Sequence, residues 1–398
     1  MLRFARYYAA FSLGRGVPEF LKVPMSRLRR LVDVPAILVM RLFDCFDRLS
    51  SLTEEEFSTA IDLVKTYVFR RAVCGHQTRG YWQEFATLAY KIKDDEPLKC
   101  LKIGLARQRA NYRFPEDEEF VRALEKRDLY GIRICVHLLE RLENHGSREP
   151  NDTSQYTIEH ILPQNEKLRP EWQEMLGEDW RNIQKTWLHR LGNLTLTGYN
   201  TKYSDRPFNE KKSIEGGFED SSIRLNKFVR EQEQWTPQEI ETRGKELASR
   251  ALQIWPPLVV EETWIEAARQ EEMRDLASRR DVNKVPMSTT ARELFDTLRD
   301  EILEIDHEVL ELAEAKSVSY HGPSFFAEVL PRKHNLTILL HLDFNEIDDP
   351  AGIAQDATQW KFFFHANYEG GVLVTVSSKD EIGSAAALVK QAHVAACS

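Results

Sequence analysis

A chain of 398 residues is longer than one ordinary domain, and 42% hydrophobic residues are enough for packed cores, which excludes global disorder. A formal net charge of −9 argues against a protein that coats nucleic acid, although one local basic surface is enough to hold a phosphate backbone. No apolar run reaches the length of a membrane span: the longest, Val34-Pro-Ala-Ile-Leu-Val-Met40, is about a third of what a span needs.

Arg3, Arg6 and Arg15 interrupt the apolar residues at the N-terminus, so it does not read as a signal peptide, and the expectation is a soluble cytoplasmic protein without a membrane partner. Cys45, Cys74, Cys100, Cys135 and Cys397 lie far apart and form no Cys-x-x-Cys pair, which fits buried thiols and not a zinc knuckle.

Residues 1–148 read as a helical scaffold. The first thirty residues are basic, with Lys22, Arg27, Arg29 and Arg30 joining the three arginines above. That surface is either a solvated helix face or one turned toward DNA. Thr53-Glu-Glu-Glu56 is a capping box, and Phe57, Ile61, Val64 and Val68 recur behind it at helical spacing. Helical patterns also cover Tyr81 to Ile92 and Phe120 to Leu142, and the breaker-rich stretch from Asn144 to Asp152 marks a boundary.

Between Tyr156 and Thr197 the pattern changes. Tyr156-Thr-Ile-Glu-His-Ile-Leu162 is a short strand stopped by Pro163, and Leu191-Gly-Asn-Leu-Thr-Leu-Thr197 alternates with the strand period. Helix resumes from Asp205, and Trp255-Pro-Pro257 closes a module spanning 149–257. A charged helical linker covers 258–287. In the last unit, 288–398, Leu294, Leu298, Ile302, Ile305, Val309 and Leu312 form one apolar helix stripe. Strands follow at Phe325–Leu330, Leu336–Leu342, Trp360–His365 and Val372–Val376, then a helix near Ala385–Ala392. The fold class is therefore α+β: a mostly helical first and middle part carrying a ββα core, then a small separate α+β domain.

The chemistry lies in Ile158-Glu-His-Ile-Leu-Pro163, His189-Arg-Leu-Gly-Asn-Leu-Thr-Leu-Thr197 and Asn200. Phosphodiester hydrolysis needs an activated water and a Lewis acid on the phosphate. An imidazole such as His160 suits the first task, because its ordinary pKa is near neutral. A carboxylate from Glu159 and an amide oxygen from Asn200 suit a hard divalent metal, Mg²⁺ or Mn²⁺. The Asn193 amide is placed to tie down the loop between the strands and fix His160. Lys202, Arg206, Lys211 and Lys212 follow the metal ligand, either as phosphate contacts or as a solvated helix face.

The order acid-His-Ile-x-Pro, Asn-Leu-x-Leu and a further Asn resembles an HNH (ββα-metal) nuclease. With Gln164, Ser204, Phe208 and Lys211 added, residues from about 75 to 257 are similar to the C-terminal nuclease domain of GmrSD-type restriction enzymes, which are bacterial, modification-dependent defence enzymes. The resemblance implies His160 as general base, Glu159 and Asn200 as metal ligands, Asn193 as the loop-positioning residue and His189 as a phosphate contact. It implies DNA as substrate. Relatives also carry a ParB-like, nucleotide-dependent sensor with an Asp-Gly-Gln-Gln-Arg motif, which is not in this sequence. The expectation is a separate sensor polypeptide, or else a truncated or decayed chain. The rival function is a non-catalytic partner that binds such a sensor.

Two other features have bland readings. Cys74-Gly-His76 lacks a placed third partner for nucleophilic catalysis and reads as a structural turn. Trp172, Trp180 and Trp187 fit core packing better than base stacking. The last unit shows no catalytic pattern.

Overall fold

The computed structural model describes residues 2–108, 110–198, 200–279, 281–306, 308–322, 324–357 and 371–397. The fold is α+β, and contacts divide the chain into two compact units that part between Glu261 and Glu262.

In the first unit the capping box forms as the sequence dictates. Glu56 N donates to Thr53 Oγ1 at 3.1 Å, and Thr53 N donates to the Glu56 carboxylate at 2.9 Å. It starts the long helix α1 (Glu54–Cys74), which buries Phe57, Ile61, Val64 and Val68 on one stripe. Near its end Arg70 and Arg71 are also fully buried. Their planar, multi-donor guanidinium groups are satisfied by carbonyls and one further partner each, Arg70 on Trp255, Pro115 and the Asp117 carboxylate, Arg71 on Asn111, Arg113, Gln77 and the Tyr81 hydroxyl.

The single helix expected from Phe120 to Leu142 is two, α2 (Asp117–Lys126) and α3 (Cys135–Asn144). The apolar period runs through the gap, but tertiary hydrogen bonds claim its groups. Arg127 donates to the carbonyls of Ala72 and Val73 at the end of α1, and Leu129 N donates to His189 O at 3.0 Å. Gly131 lies in the same gap, where its poor helix propensity weakens continuation.

Strands β1 (Thr157–His160) and β2 (Leu194–Thr197) pair antiparallel, with Glu159 opposite Thr195 and His160 opposite Leu194. Leu191–Asn193, expected as strand, is one 3-10 turn instead. The short helix α4 (Asn200–Tyr203) follows β2, and the run from Asp205 onward is broken into short pieces, including α5 (Phe208–Ser213), before the longer α6 (Pro237–Ile254). Here a glycine is required by close approach: a Cβ on Gly192 would lie 1.9 Å from the Ile240 carbonyl oxygen of α6. Arg243 of the same helix is buried and donates to the carbonyls of Gly192, Leu194 and Leu225, which fixes the backbone leading into β2.

One hydrophobic core runs from Tyr7 through α1 and α3 to Leu191, Leu194, Leu196 and Trp255. The helical stretch and the ββα stretch, separated at 148/149 in the sequence reading, share that core. A smaller cluster around Trp172, Trp180, Phe208 and Trp235 fills the space beneath the ββα motif, with Trp187 packed against it. These tryptophans are packing residues.

The second unit contains α7 (Glu262–Arg279), α8 (Thr289–Leu303), an antiparallel sheet and α9 (Ile382–Cys397). The sheet is β3 (Leu310–Ala313), β4 (Val318–His321), β5 (Phe325–Pro331), β6 (Leu336–Leu340), β7 (Ala354–Asp356) and β8 (Val372–Val376), in the order β3-β4-β5-β6-β8-β7. The stripe expected to run as helix to Leu312 stops at Leu303. A turn at Asp306, with Glu308 N on its carboxylate and Val309 N on its carbonyl, sends Leu310–Ala313 into the sheet edge. The strand expected at Trp360–His365 lies outside the described residues. No helix among the described residues is long and apolar enough to cross a membrane.

Candidate active site

The ββα hairpin opens onto a cleft of about 350 Å³ lined by Glu159, His160, Gln164, Asn200, Ser204 and Asp205, among others. Consecutive strand residues normally face opposite sides. Glu159 and His160 both reach this cleft because β1 ends at His160 and the chain turns through Pro163, which also lines it. Glu159, His160 and Asn200, singled out by their order in the chain, are thus brought to one place.

Glu159 is buried and its Oε1 accepts from Lys211 Nζ at 2.6 Å. Lys211 is fully buried and also donates to the carbonyls of His160 at 2.9 Å and Ile161 at 3.2 Å. All three ammonium protons therefore go to the end of β1. Burial pushes the Glu159 carboxyl up and the Lys211 ammonium down, while each charge draws the other back toward its ionised form.

His160 is buried and engaged at both nitrogens. Its Nδ1 lies 2.7 Å from Gln164 Nε2, and its Nε2 lies 3.0 Å from His189 Nδ1. Tyr130, from the gap between α2 and α3, stacks on His189 at 5.2 Å and meets the His160 ring edge-on at 4.4 Å. Burial, and then the neighbouring His189 and Lys211, push the His160 imidazole down to about 3, so the ring is neutral at ordinary pH.

Asn193 is fully buried and uses its whole amide. Its Oδ1 accepts from Leu162 N at 2.8 Å and Trp235 Nε1 at 3.0 Å, and its Nδ2 donates to Leu162 O and Leu188 O. This bridges the segment after β1 to the turn before β2. Asn200 donates through Nδ2 to Ile158 O at 3.0 Å and Thr157 Oγ1 at 3.2 Å, which turns the amide so that Oδ1 makes no hydrogen bond among the described residues.

The four cations after the hairpin do not form one DNA-facing row. Lys211 is inside and bound to Glu159, so it is not a phosphate contact. The three-residue step from buried Phe208 puts it on the inner face of α5. Lys212 donates to Gln232 O at 2.6 Å and is mostly covered. Arg206 is tied to Lys202 O and Glu210 but remains partly exposed, and Lys202 is exposed. His189, expected to contact phosphate, has its Nδ1 committed to His160.

Donor chemistry at the cleft fits a hard divalent ion: one carboxylate with its second oxygen unclaimed by Lys211, and one amide oxygen, both lining the same space. Elsewhere Cys74, His76 and Glu119 place ligand atoms within 4.8 Å of one another. There the carboxylate is shared by His76 Nε2 at 2.7 Å and Arg113 at 2.6 Å, and burial beside Glu119 pushes the Cys74 thiol up to about 12, so the group reads as an ion-paired turn.

Tyr130 and the buried role of Lys211 were missed from the sequence, and Gln164 carried the resemblance without being given a role. The signals were Gly131 inside a helical period, and the spacing from Phe208 to Lys211. For Gln164 the signal was its place directly after the Glu159–Pro163 run. No curated protein matches the chain. Residues 114–250, which include the hairpin, His160, His189, Asn193, Asn200 and Lys211, match the family model of the C-terminal domain of the GmrSD restriction endonucleases.

Proposed function

We propose that the chain is an HNH-type, metal-dependent DNA endonuclease that hydrolyses a phosphodiester. The observation that supports this is the shared cleft of Glu159, His160 and Asn200 on a ββα frame. In this reading His160 accepts the proton of the attacking water. Burial keeps its imidazole neutral and able to accept, and the negative charge of a bound phosphodiester offsets the cost of the imidazolium that forms. Glu159, held by Lys211, and Asn200, held on Ile158, would bind Mg²⁺ or Mn²⁺, which supplies Lewis-acid stabilisation of charge on the phosphate. Asn193 keeps the two halves of the hairpin in register. Lys202, exposed on α4, and the partly exposed Arg206 beyond its end would make the phosphate-backbone contacts.

We further propose that this activity serves restriction of foreign, modified DNA in the cytoplasm, together with a separate ParB-like sensor subunit. The test is plasmid nicking with Mg²⁺ or Mn²⁺, comparing the wild type with His160→Ala. We expect metal-dependent nicking that falls by on the order of 10²–10⁴-fold in the variant, the usual contribution of a general base. Equal rates in the two proteins refute His160 as the base. No cleavage by wild type, alone or with a nucleotide-dependent sensor, favours the non-catalytic partner instead.

A further inference from the structure

Both ring nitrogens of His160 are occupied, and the two partners differ in kind. Gln164 is exposed and lines the cleft beside the imidazole, whereas His189 lies behind the ring, stacked on Tyr130. A neutral imidazole carries one proton, so one nitrogen donates and the other accepts. Gln164 presents its Nε2, a donor, to Nδ1 at 2.7 Å. The ring must then accept at Nδ1 and keep its proton on Nε2, where His189 Nδ1 receives it at 3.0 Å. The lone pair of His160 consequently faces the cleft, and its N–H faces away.

We infer that Gln164 and His189 are positioning residues that clamp His160 in its Nε2–H tautomer, with Gln164 a displaceable placeholder on the nitrogen that meets the water. This inference rests on the nuclease reading for its purpose, though not for its geometry. Exposure allows Gln164 to swing out when DNA fills the cleft. His189 cannot follow, because Leu129 N holds its carbonyl at 3.0 Å and Tyr130 covers its ring at an interplanar angle of 9°. Tyr130 supports the clamp from outside the hairpin. A base held in the wrong tautomer would point its lone pair at His189, and the water in the cleft would find an N–H.

The experiment uses the full chain, labelled with ¹⁵N at histidine, in long-range proton–nitrogen correlation spectra at neutral pH without metal. For His160 we expect the pattern of a fixed Nε2–H tautomer. Gln164→Leu removes the donor at the exposed rim, and His189→Phe removes the acceptor while keeping a ring against Tyr130. Each should convert the His160 signals to an average of both tautomers. His189→Phe should also lower kcat for plasmid nicking by about 10-fold or more, up to the 10²–10⁴-fold a general base contributes, with little change in KM, and Gln164→Leu, whose amide has left the cleft in the DNA complex, should lower it less. A resting Nδ1–H tautomer, or variants whose His160 pattern is unchanged, overturns the clamp. Wild-type protein that shows the Nε2–H pattern but never nicks DNA refutes the nuclease reading and leaves the clamp standing. If His189→Phe fails to fold, the exposed Gln164→Leu variant still decides.

Discussion

Lys211→Met tests how the end of β1 is held. The substitution keeps an unbranched chain of similar length in a fully buried position and deletes only the ammonium. Three acceptors then lose their donor: Glu159 Oε1 at 2.6 Å and the carbonyls of His160 and Ile161. Removing one partner of a buried ion pair strands the other charge, at a cost of about 3–5 kcal/mol. That is a large share of the roughly 5–15 kcal/mol that holds an ordinary domain folded. Glu159→Gln also leaves a charge without its counter-ion, but it costs less, because the Lys211 ammonium keeps both carbonyls and an amide oxygen takes the place of the carboxylate oxygen. Combining the two removes the stranded carboxylate, so the double variant should be more stable than Lys211→Met by about 1–3 kcal/mol, a coupling typical of residues in direct contact. The assay is equilibrium urea unfolding of the metal-free chain, following the buried tryptophans of the first unit. A Lys211→Met variant within about 1 kcal/mol of wild type would refute the reasoning, since that is the scale of an ordinary exposed ion pair. Additive losses in the double variant would refute it too.

Other outcomes follow from the same geometry. Glu159→Ala should weaken Mn²⁺ binding in calorimetric titration, while His160→Ala should spare it and lose nicking. The reverse result would mean that ligand and base have been exchanged. Asn193→Ala leaves the backbone groups of Leu162 and Leu188 and the indole of Trp235 unpaired inside, and unfolding should show a loss of about 2–4 kcal/mol. Gly192→Ala drives a methyl group into the Ile240 carbonyl, so α6 must shift and thermal unfolding should move down clearly. His137 is buried, neither ring nitrogen has a hydrogen-bond partner among the described residues, and burial, aided by Arg30, Arg141, Lys65 and Arg27, lowers it from 6.5 to about 3. The unfolded chain therefore binds the extra proton first: this stabilising contribution is complete above pH 6.5 and falls by about 1.4 kcal/mol per pH unit as pH drops toward 3. His137→Phe should flatten that part of the stability profile, and an unchanged slope would show that His137 is not its source.

The residues of the hairpin were legible because their signals are local. A strand-like run stopped by Pro163 and a Gly-Asn-Leu-Thr-Leu run with Asn200 just beyond are each readable within a few residues, and their order carries the resemblance, although the strands they form pair across a long insertion. What the sequence did not disclose depends on contacts across long separations. Lysine four residues into a short helix reads as surface unless one knows that Glu159 waits on the inner side. The helix expected across Phe120–Leu142 failed for the same reason. Its apolar period was genuine, but backbone groups in the gap were taken by His189 and its side chains by the end of α1. In the second unit, Val309 and Leu312 kept helical spacing by coincidence, and the Asp306 turn decided otherwise.

The break between α2 and α3 explains why the helical part and the hairpin pack as one unit. Leu129 and Tyr130 lie in that break, and they fix the backbone and the ring of His189, which in turn holds His160. On the other side, α1 reaches the end of the same module: Phe69 stacks on Trp255 at 3.8 Å, and Arg70 donates to the Trp255 carbonyl at 3.0 Å. Arg243 closes the circuit by gripping the carbonyls that lead into β2. The hairpin itself is two strands of four residues, too small to be stable alone. Its rigidity is borrowed from helices on either side in sequence. That matters for chemistry, because a catalytic group misplaced by about 1 Å can lose on the order of 10²-fold in rate. The helical stretch thus acts as the outer support of the imidazole, and a spacer would not need Tyr130 where it stands.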